Sequence, residues 1–306
     1  MAMASKTRFC FISLALLAGL VWSAVHQLPD NRLHLVFCDV GQGDAILAIH
    51  GSSQILIDGG PGNQVLTCLE EHLPFWDRRI EMVMLTHPEA DHLTGLIEVA
   101  KRYEVGQFVV NALANDTAVF REWRQVVLAE GTSVYSPQAG DGLRLGPIEL
   151  KVLWAQSDPE LANLFVNHPG GVSAALPSDE ILGAATIKDD FNETSIVTLL
   201  SFGSFDAFLS GDIGFDTEGQ LVLEGLPTVE VIKVAHHGSK YSSSEAFLQA
   251  VSPEVAVISV GKNSFGHPTE EVLQKLRNLE IKILRTDQDG SIEIVSDGKS
   301  WYTAGQ

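Results

Sequence analysis

The sequence predicts an α/β fold in which two mixed β-sheets pack face to face with helices on the outside. Three observations predict it. Short aliphatic and β-branched runs bounded by Gly, Asp and Ser recur along the chain and read as strands. The chain divides into two halves, each strand-rich at first and then alternating strand with helix. The polar residues able to carry chemistry each follow the carboxyl end of one of those strands, where layered α/β proteins collect their active sites.

The elements follow in order. LHLVFCDV (33–40), DAILAIH (44–50) and SQILIDGG (53–60) read as strands. Residues 64–73 read as a helix and IEMVMLTH (80–87) as a buried strand. Helices are expected from His92 to Lys101 and from Thr117 to Glu130, with the strand VGQFVV (105–110) between them. Strands follow around Leu143 and from Ile148 to Trp154. Residues 156–191 are rich in Ala, Pro, Gly, Asn and Asp without a sustained period, and read as a loop insertion. SIVTLLSF (195–202) and DAFLSGD (206–212) form a hairpin around Gly203. Then come a helix from Phe215 to Leu223, the strand VEVIKVAH (229–236), a helix from Ser244 to Val251, the strand VAVISV (255–260) and a helix from Thr269 to Leu279. KILRT (282–286) and SIEIVSD (291–297) close the chain as strands.

Ahead of this unit, Lys6 and Arg8 precede an apolar run from Phe9 to Val25. A short basic region before such a run reads as a signal peptide or a membrane anchor. Residues 1–31 are therefore anchor or signal plus linker, and residues 32–306 the catalytic unit, expected outside the membrane with Lys6 and Arg8 inside. Cys10, Cys38 and Cys68 occur in apolar, strand and helix contexts, and read as small buried hydrophobes, not as a bridge. The net charge of −19 argues against tight electrostatic binding to a phosphate backbone. Turnover of a phosphodiester stays open, because metal ions in a carboxylate-lined cleft supply positive charge.

THPEADHLTG (86–95) is the sharpest cluster: His87, Glu89, Asp91 and His92 lie at a strand-to-helix junction. Residues 87, 89 and 91 share parity, so an extended turn would aim three ligands to one side. Imidazole nitrogen with carboxylate oxygen suits Zn²⁺, Mn²⁺ or Fe²⁺. FLSGD (208–212) delivers Asp212 at a strand end. VIKVAHHGSK (231–240) ends a buried strand in His236 and His237. If that strand stays extended, the two rings point apart, so one ligates metal and the other acts on substrate. NSFGHPT (263–269) places His267 just after a strand.

His87-x-Glu89-x-Asp91-His92 resembles the HxHxDH signature of the metallo-β-lactamase superfamily. DVGQGDA (39–45), IDGG (57–60), NETSIV (192–197), LSGD (209–212), VAHHGSKYSSS (234–244), SVGKNSFGHP (259–268) and RTDQDGSI (285–292) narrow the resemblance to the extracellular hydrolase domain of the ComEC competence family. The resemblance implies the αββα sandwich and two divalent metal ions, Zn or Mn, that activate a hydroxide. His87 and Glu89 would hold one ion, with a histidine of the 236–237 pair as a third ligand; His236 is assigned that role. Asp91, His92 and His267 would hold the other, and Asp212 would bridge. His237 would protonate the leaving alkoxide, and Asn192, Ser195 and Ser239 would donate to phosphoryl oxygens. Asp39, Asp44 and Asp58 would orient the ligating imidazoles. Two departures stand out. Glu89 replaces the second histidine, and the third is missing, with Asn192 and Ser195 in its region.

The expected function is a metal-dependent phosphodiesterase or nuclease acting on DNA outside the membrane. The alternative is a hydrolase of a small or envelope-derived ester, amide or phosphocholine group. Expected partners are DNA or another phosphodiester, the membrane, and a separate DNA-uptake channel protein, since one N-terminal segment forms no pore.

Overall fold

The computed structural model describes residues 29–111, 113–156 and 191–305, with isolated positions 12, 14 and 19. The N-terminal apolar run and the 156–191 insertion fall essentially outside the described residues. Among the described residues, no helix is long and apolar enough to cross a membrane.

In chain order the elements are β1 (Leu33–Phe37), β2 (Ile46–His50), β3 (Ser53–Ile57), α1 (Gln64–His72), β4 (Arg79–Ile80), β5 (Met82–Leu85), α2 (Ala90–Ala100), β6 (Glu104–Val105), β7 (Gln107–Val110), α3 (Ala118–Glu130) and β8 (Ser133–Tyr135). Then follow β9 (Gly142–Leu145), β10 (Ile148–Trp154), β11 (Val197–Phe202), β12 (Phe205–Leu209), α4 (Phe215–Glu224), β13 (Val231–Lys233), α5 (Glu245–Val251), β14 (Val255–Ile258), α6 (Glu270–Asn278), β15 (Lys282–Arg285), the short α7 (Thr286–Asp289), β16 (Ile292–Ser296) and β17 (Trp301–Thr303).

Two large mixed sheets result. One runs β17-β16-β1-β2-β3-β5-β7-β8, antiparallel as far as β3 and parallel from β3 to β8. The other runs β15-β14-β13-β12-β11-β10-β9, parallel from β15 to β12 and antiparallel beyond. The parallel strands need crossovers, which the helices between them supply.

The period-2 alternation of each strand sorts its side chains between two layers. In β1, Leu35 and Phe37 enter the core between the sheets, together with Ile57 and Met84 and, from the facing sheet, Leu200, Leu209 and Val257. Val36 points the other way and packs with Leu56, Leu69, Leu93, Phe108 and Trp123 beneath α1, α2 and α3. On the second sheet Phe208, Ile232 and Ala256 do the same under Phe247, Val272 and Leu276. Strands covered on both faces read as continuous apolar runs, as these do.

The cysteine expectation is corrected. Cys38, just past β1, is disulfide-bonded to Cys68 of α1, with Cα atoms 5.8 Å apart. Thirty positions separate the two, and only the packing of α1 against the end of β1 brings them together.

Candidate metal centre

Residues beyond the carboxyl ends of β3, β5, β12, β13 and β14 meet at one edge of the sandwich. Close backbone packing draws them in. A Cβ on Gly95 would fall 1.9 Å from the Gly59 carbonyl oxygen, so α2 lies directly on the turn after β3. A Cβ on Gly43 would fall 2.1 Å from the Asp91 carbonyl oxygen, so the DVGQGDA loop reaches the first turn of α2.

Helix α2 begins at Ala90, two residues earlier than expected, with Glu89 as its N-cap residue. Asp91 and His92 therefore sit in the first helical turn, and the extended run that would align residues 87, 89 and 91 does not form. His87, His92 and His237 are buried, and none of their Nε2 atoms has a properly directed hydrogen bond. Asp212 Oδ2 lies 3.4 Å from His92 Nε2 and 3.1 Å from His237 Nε2, and Asp91 Oδ2 lies 3.6 Å from His237 Nε2. The ligand atoms of His87, His92 and Asp212 lie within 4.8 Å of one another, as do those of Asp91, His92 and His237.

The far side of each ring is anchored. His92 Nδ1 donates to Asp58 Oδ2 at 2.8 Å. His237 Nδ1 donates to the Ser259 carbonyl at 2.8 Å. His87 Nδ1 lies 3.0 Å from Thr86 Oγ1 and 3.2 Å from Ser195 Oγ. Asp58 is held in turn by the Thr86 amide and hydroxyl, at 2.8 and 2.7 Å. Imidazoles fixed through one nitrogen, with the other buried, aimed inward and close to carboxylates, form a donor set suited to divalent metal.

The electrostatics agree with a cation site. Burial opposes a charge on Asp212, but His237, Lys233 and His92 outweigh it and hold this carboxyl well below the usual range. Burial likewise opposes protonation of His237, yet Asp212 and Asp44 push it up to about 9. His92 is raised well above its ordinary value against the same burial, by Asp212 and Asp58. Burial, with His92 beside it, drives His87 well below. The same carboxylates that favour positive charge on His92 and His237 would favour a divalent ion among them.

The remaining expected residues fall in different places. The tandem histidines do not continue an extended strand: both are left-handed, at φ 50° and 54°. That turn sends His237 into the buried cluster and leaves His236 half-buried, its ring 5.5 Å from that of His267. His237 thus lies among the converging donors, and His236 lies outside them. Glu89 and His267 belong to neither converging set. Burial, with His236 and His237 nearby, pushes His267 down to about 4. Ser195 is fully buried, and its hydroxyl accepts from the Asp212 amide at 3.0 Å besides touching His87, so it props two ligands from behind. Ser239 is buried in the turn after the histidines, where its hydroxyl accepts from the Tyr241 amide. Asn192 lies in the 3-10 turn Phe191–Thr194, where its carbonyl accepts from the Ser195 amide at 3.0 Å. Asp39 is exposed, and its carboxylate caps the Gly41 amide, away from the imidazoles. Asp44 is buried, 3.6 Å from His237 Nδ1, and its main partner is Lys233.

Lys233 joins the site without having been expected from the sequence. It is fully buried at the end of β13 and pairs with both Asp44 and Asp212. The signal was present, since a lysine interrupts the otherwise apolar run VIKVA.

A sequence model of the metallo-beta-lactamase superfamily matches residues 38–262, the stretch that carries every residue of the converging sets. The chain belongs to the metallo-β-lactamase superfamily. Among curated relatives it is similar to ComE operon protein 3 of Bacillus subtilis, 28% identical over 282 residues, covering 83% of this chain and 32% of that protein. It is similar too to competence protein ComA of Neisseria gonorrhoeae, 29% identical over 284 residues, covering 91% of this chain and 34% of that one. The chain thus spans about a third of the length of these relatives. Among solved structures, the metallo-β-lactamase fold protein YhfI from Bacillus subtilis aligns with a TM-score of 0.52 at 10% identity, over 85% of this chain and 99% of that one. CmlA, a diiron β-hydroxylase from Streptomyces venezuelae, aligns with a TM-score of 0.52 at 15% identity, over 87% and 54%. Both share the metallo-β-lactamase fold with this chain, and at these identities the likeness concerns the fold alone.

Proposed function

We propose that this superfamily hydrolase is a metal-dependent phosphodiesterase acting on DNA or a related phosphodiester outside the cell membrane. The observation that carries the reading is the convergence of three inward-facing imidazoles with Asp212 and Asp91. Its setting in a chain similar to competence proteins supports DNA as the polymer. His87, His92, His237, Asp91 and Asp212 would hold two divalent ions, Zn or Mn. Ions in such a site supply Lewis acidity and a nucleophile at neutral pH. The chain's own residues then orient and move protons. Asp58, Ser259 and Thr86 fix the ring orientations. His236, half-buried beside His267, would protonate the leaving alkoxide.

Two features support an extracytoplasmic site: the basic residues ahead of the apolar run 9–25, and the Cys38–Cys68 disulfide, which suits an oxidising compartment. In that setting a separate DNA-uptake channel protein is a fitting partner. The net charge of −19 favours the second reading, hydrolysis of a small or envelope-derived ester, amide or phosphocholine group.

Parallel assays with Mn²⁺ and with Zn²⁺ on labelled oligonucleotides, a chromogenic phosphodiester and nitrocefin separate the readings. Oligonucleotide and phosphodiester cleavage, abolished by EDTA, is expected. Nitrocefin hydrolysis with intact oligonucleotides would replace the first reading with the second.

A further inference from the structure

Lys233 ends β13 between Ile232 and Val234 and is 0% exposed. Burying an ammonium is costly unless every donor is met. Here the three donors meet three oxygens: Asp44 Oδ2, Asp212 Oδ1 at 2.9 Å and the Gly211 carbonyl at 2.7 Å. The ammonium is thus saturated and has no donor left for a substrate.

Its position matters because of what else could sit there. The ligand atoms of Asp44, Asp212 and His237 lie within 4.8 Å of one another, a third set with the composition of a divalent-metal site. The ammonium rests on both carboxylates of that set. It also divides Asp212. Oδ1 is taken by Lys233, while Oδ2 faces His92 and His237 at 3.4 and 3.1 Å.

We infer that Lys233 is a resident cation that holds the place of a divalent ion between Asp44 and Asp212, and so confines metal to the histidine side through Asp212 Oδ2. An ammonium tethered to the backbone cannot be chelated away, so it keeps the carboxylates in register whether or not metal is bound. This makes Lys233 a positioning residue. The inference rests on the reading that the histidine side takes divalent metal.

The test uses the full chain, stripped of metal and reloaded with Mn²⁺, with ion content measured by elemental analysis and affinity by calorimetry. Lys233→Met should hold one more ion per chain than the wild type. Its metal-free form should melt roughly 5–10 °C lower, with the loss recovered on adding Mn²⁺. The double variant Asp44→Asn/Lys233→Met removes one charge of each sign. It should fold without metal, gain no extra ion, and bind Mn²⁺ on the histidine side at least about tenfold more weakly, because Asp212 is no longer tied. A Lys233→Met chain with the wild-type ion count and no recovery would make Lys233 a structural ion pair and overturn the inference. If that variant does not fold, wild-type affinity in the double variant overturns it instead. A wild-type chain that binds no Mn²⁺ would sink the metal reading as well, whereas binding by the wild type with neither change in the variants sinks this inference alone.

Discussion

His92 carries much of the logic of the site in one side chain. It belongs to both converging sets, and its far nitrogen is pinned by Asp58, itself held by Thr86. That the converging imidazoles and carboxylates follow strand ends was legible in the sequence, because IDGG and THPEADH both close apolar runs. Which of two adjacent histidines turns inward was not, since it depends on a left-handed backbone that neither residue type requires. The structure leads to opposed outcomes for the pair. His237→Ala should weaken divalent-metal binding by at least about 100-fold, as loss of a ligand exceeds the loss of an orienting partner. His236→Ala should keep its metal while kcat falls by about 100-fold or more. Calorimetric titration beside steady-state kinetics checks both. Equal loss of metal in the two variants would contradict the division. Lys233 stayed hidden for a different reason: in sequence it is one charge in a strand, and only the parallel pairing of β12 with β13, together with the approach of the loop before β2, brings two carboxylates to it.

At the scale of elements, strands set in long aliphatic runs were readable, and β1, β2, β3, β5 and β10 to β14 lie where the apolar pattern puts them, including the three-residue β13, whose run VEVIKVA extends beyond it. The missed strands are short. β8 and β17 are three residues each, and Ser133–Tyr135 and Trp301–Thr303 become strands only by pairing at sheet edges, a tertiary effect that no local pattern encodes. The Cys38–Cys68 bridge escaped for the same kind of reason, being a product of how α1 docks on β1. It joins residues 30 apart, and a loop of that length corresponds to about 3.6 kcal/mol of stabilisation, mainly through the unfolded chain. Cys68→Ser should lower the unfolding free energy by about that amount in denaturant melts under oxidising conditions, and reducing agent should lower the wild type to match. A variant as stable as the oxidised wild type would show that the tie contributes nothing.

For the whole molecule, two mixed sheets with their parallel halves side by side bring five strand ends to one edge, and this architecture was readable because the two halves of the chain repeat one order of elements. The proposed location of that edge outside a membrane rests on the N-terminal sequence. Lys6 and Arg8 ahead of the apolar run should hold the amino end in the cytoplasm and put the hydrolase outside. A carboxyl-terminal alkaline phosphatase fusion should then be active in cells and a green fluorescent protein fusion dark; the reverse pattern would move the site to the cytosol and remove exogenous DNA as its substrate. If the inward-facing imidazoles form a metal centre, an anomalous-difference map from crystals of the protein soaked in Mn²⁺ should show density bounded by His87 Nε2, His92 Nε2, His237 Nε2 and Asp212 Oδ2, and none between Asp44 and Asp212. No density among those atoms, at saturating Mn²⁺, would contradict a metal centre there.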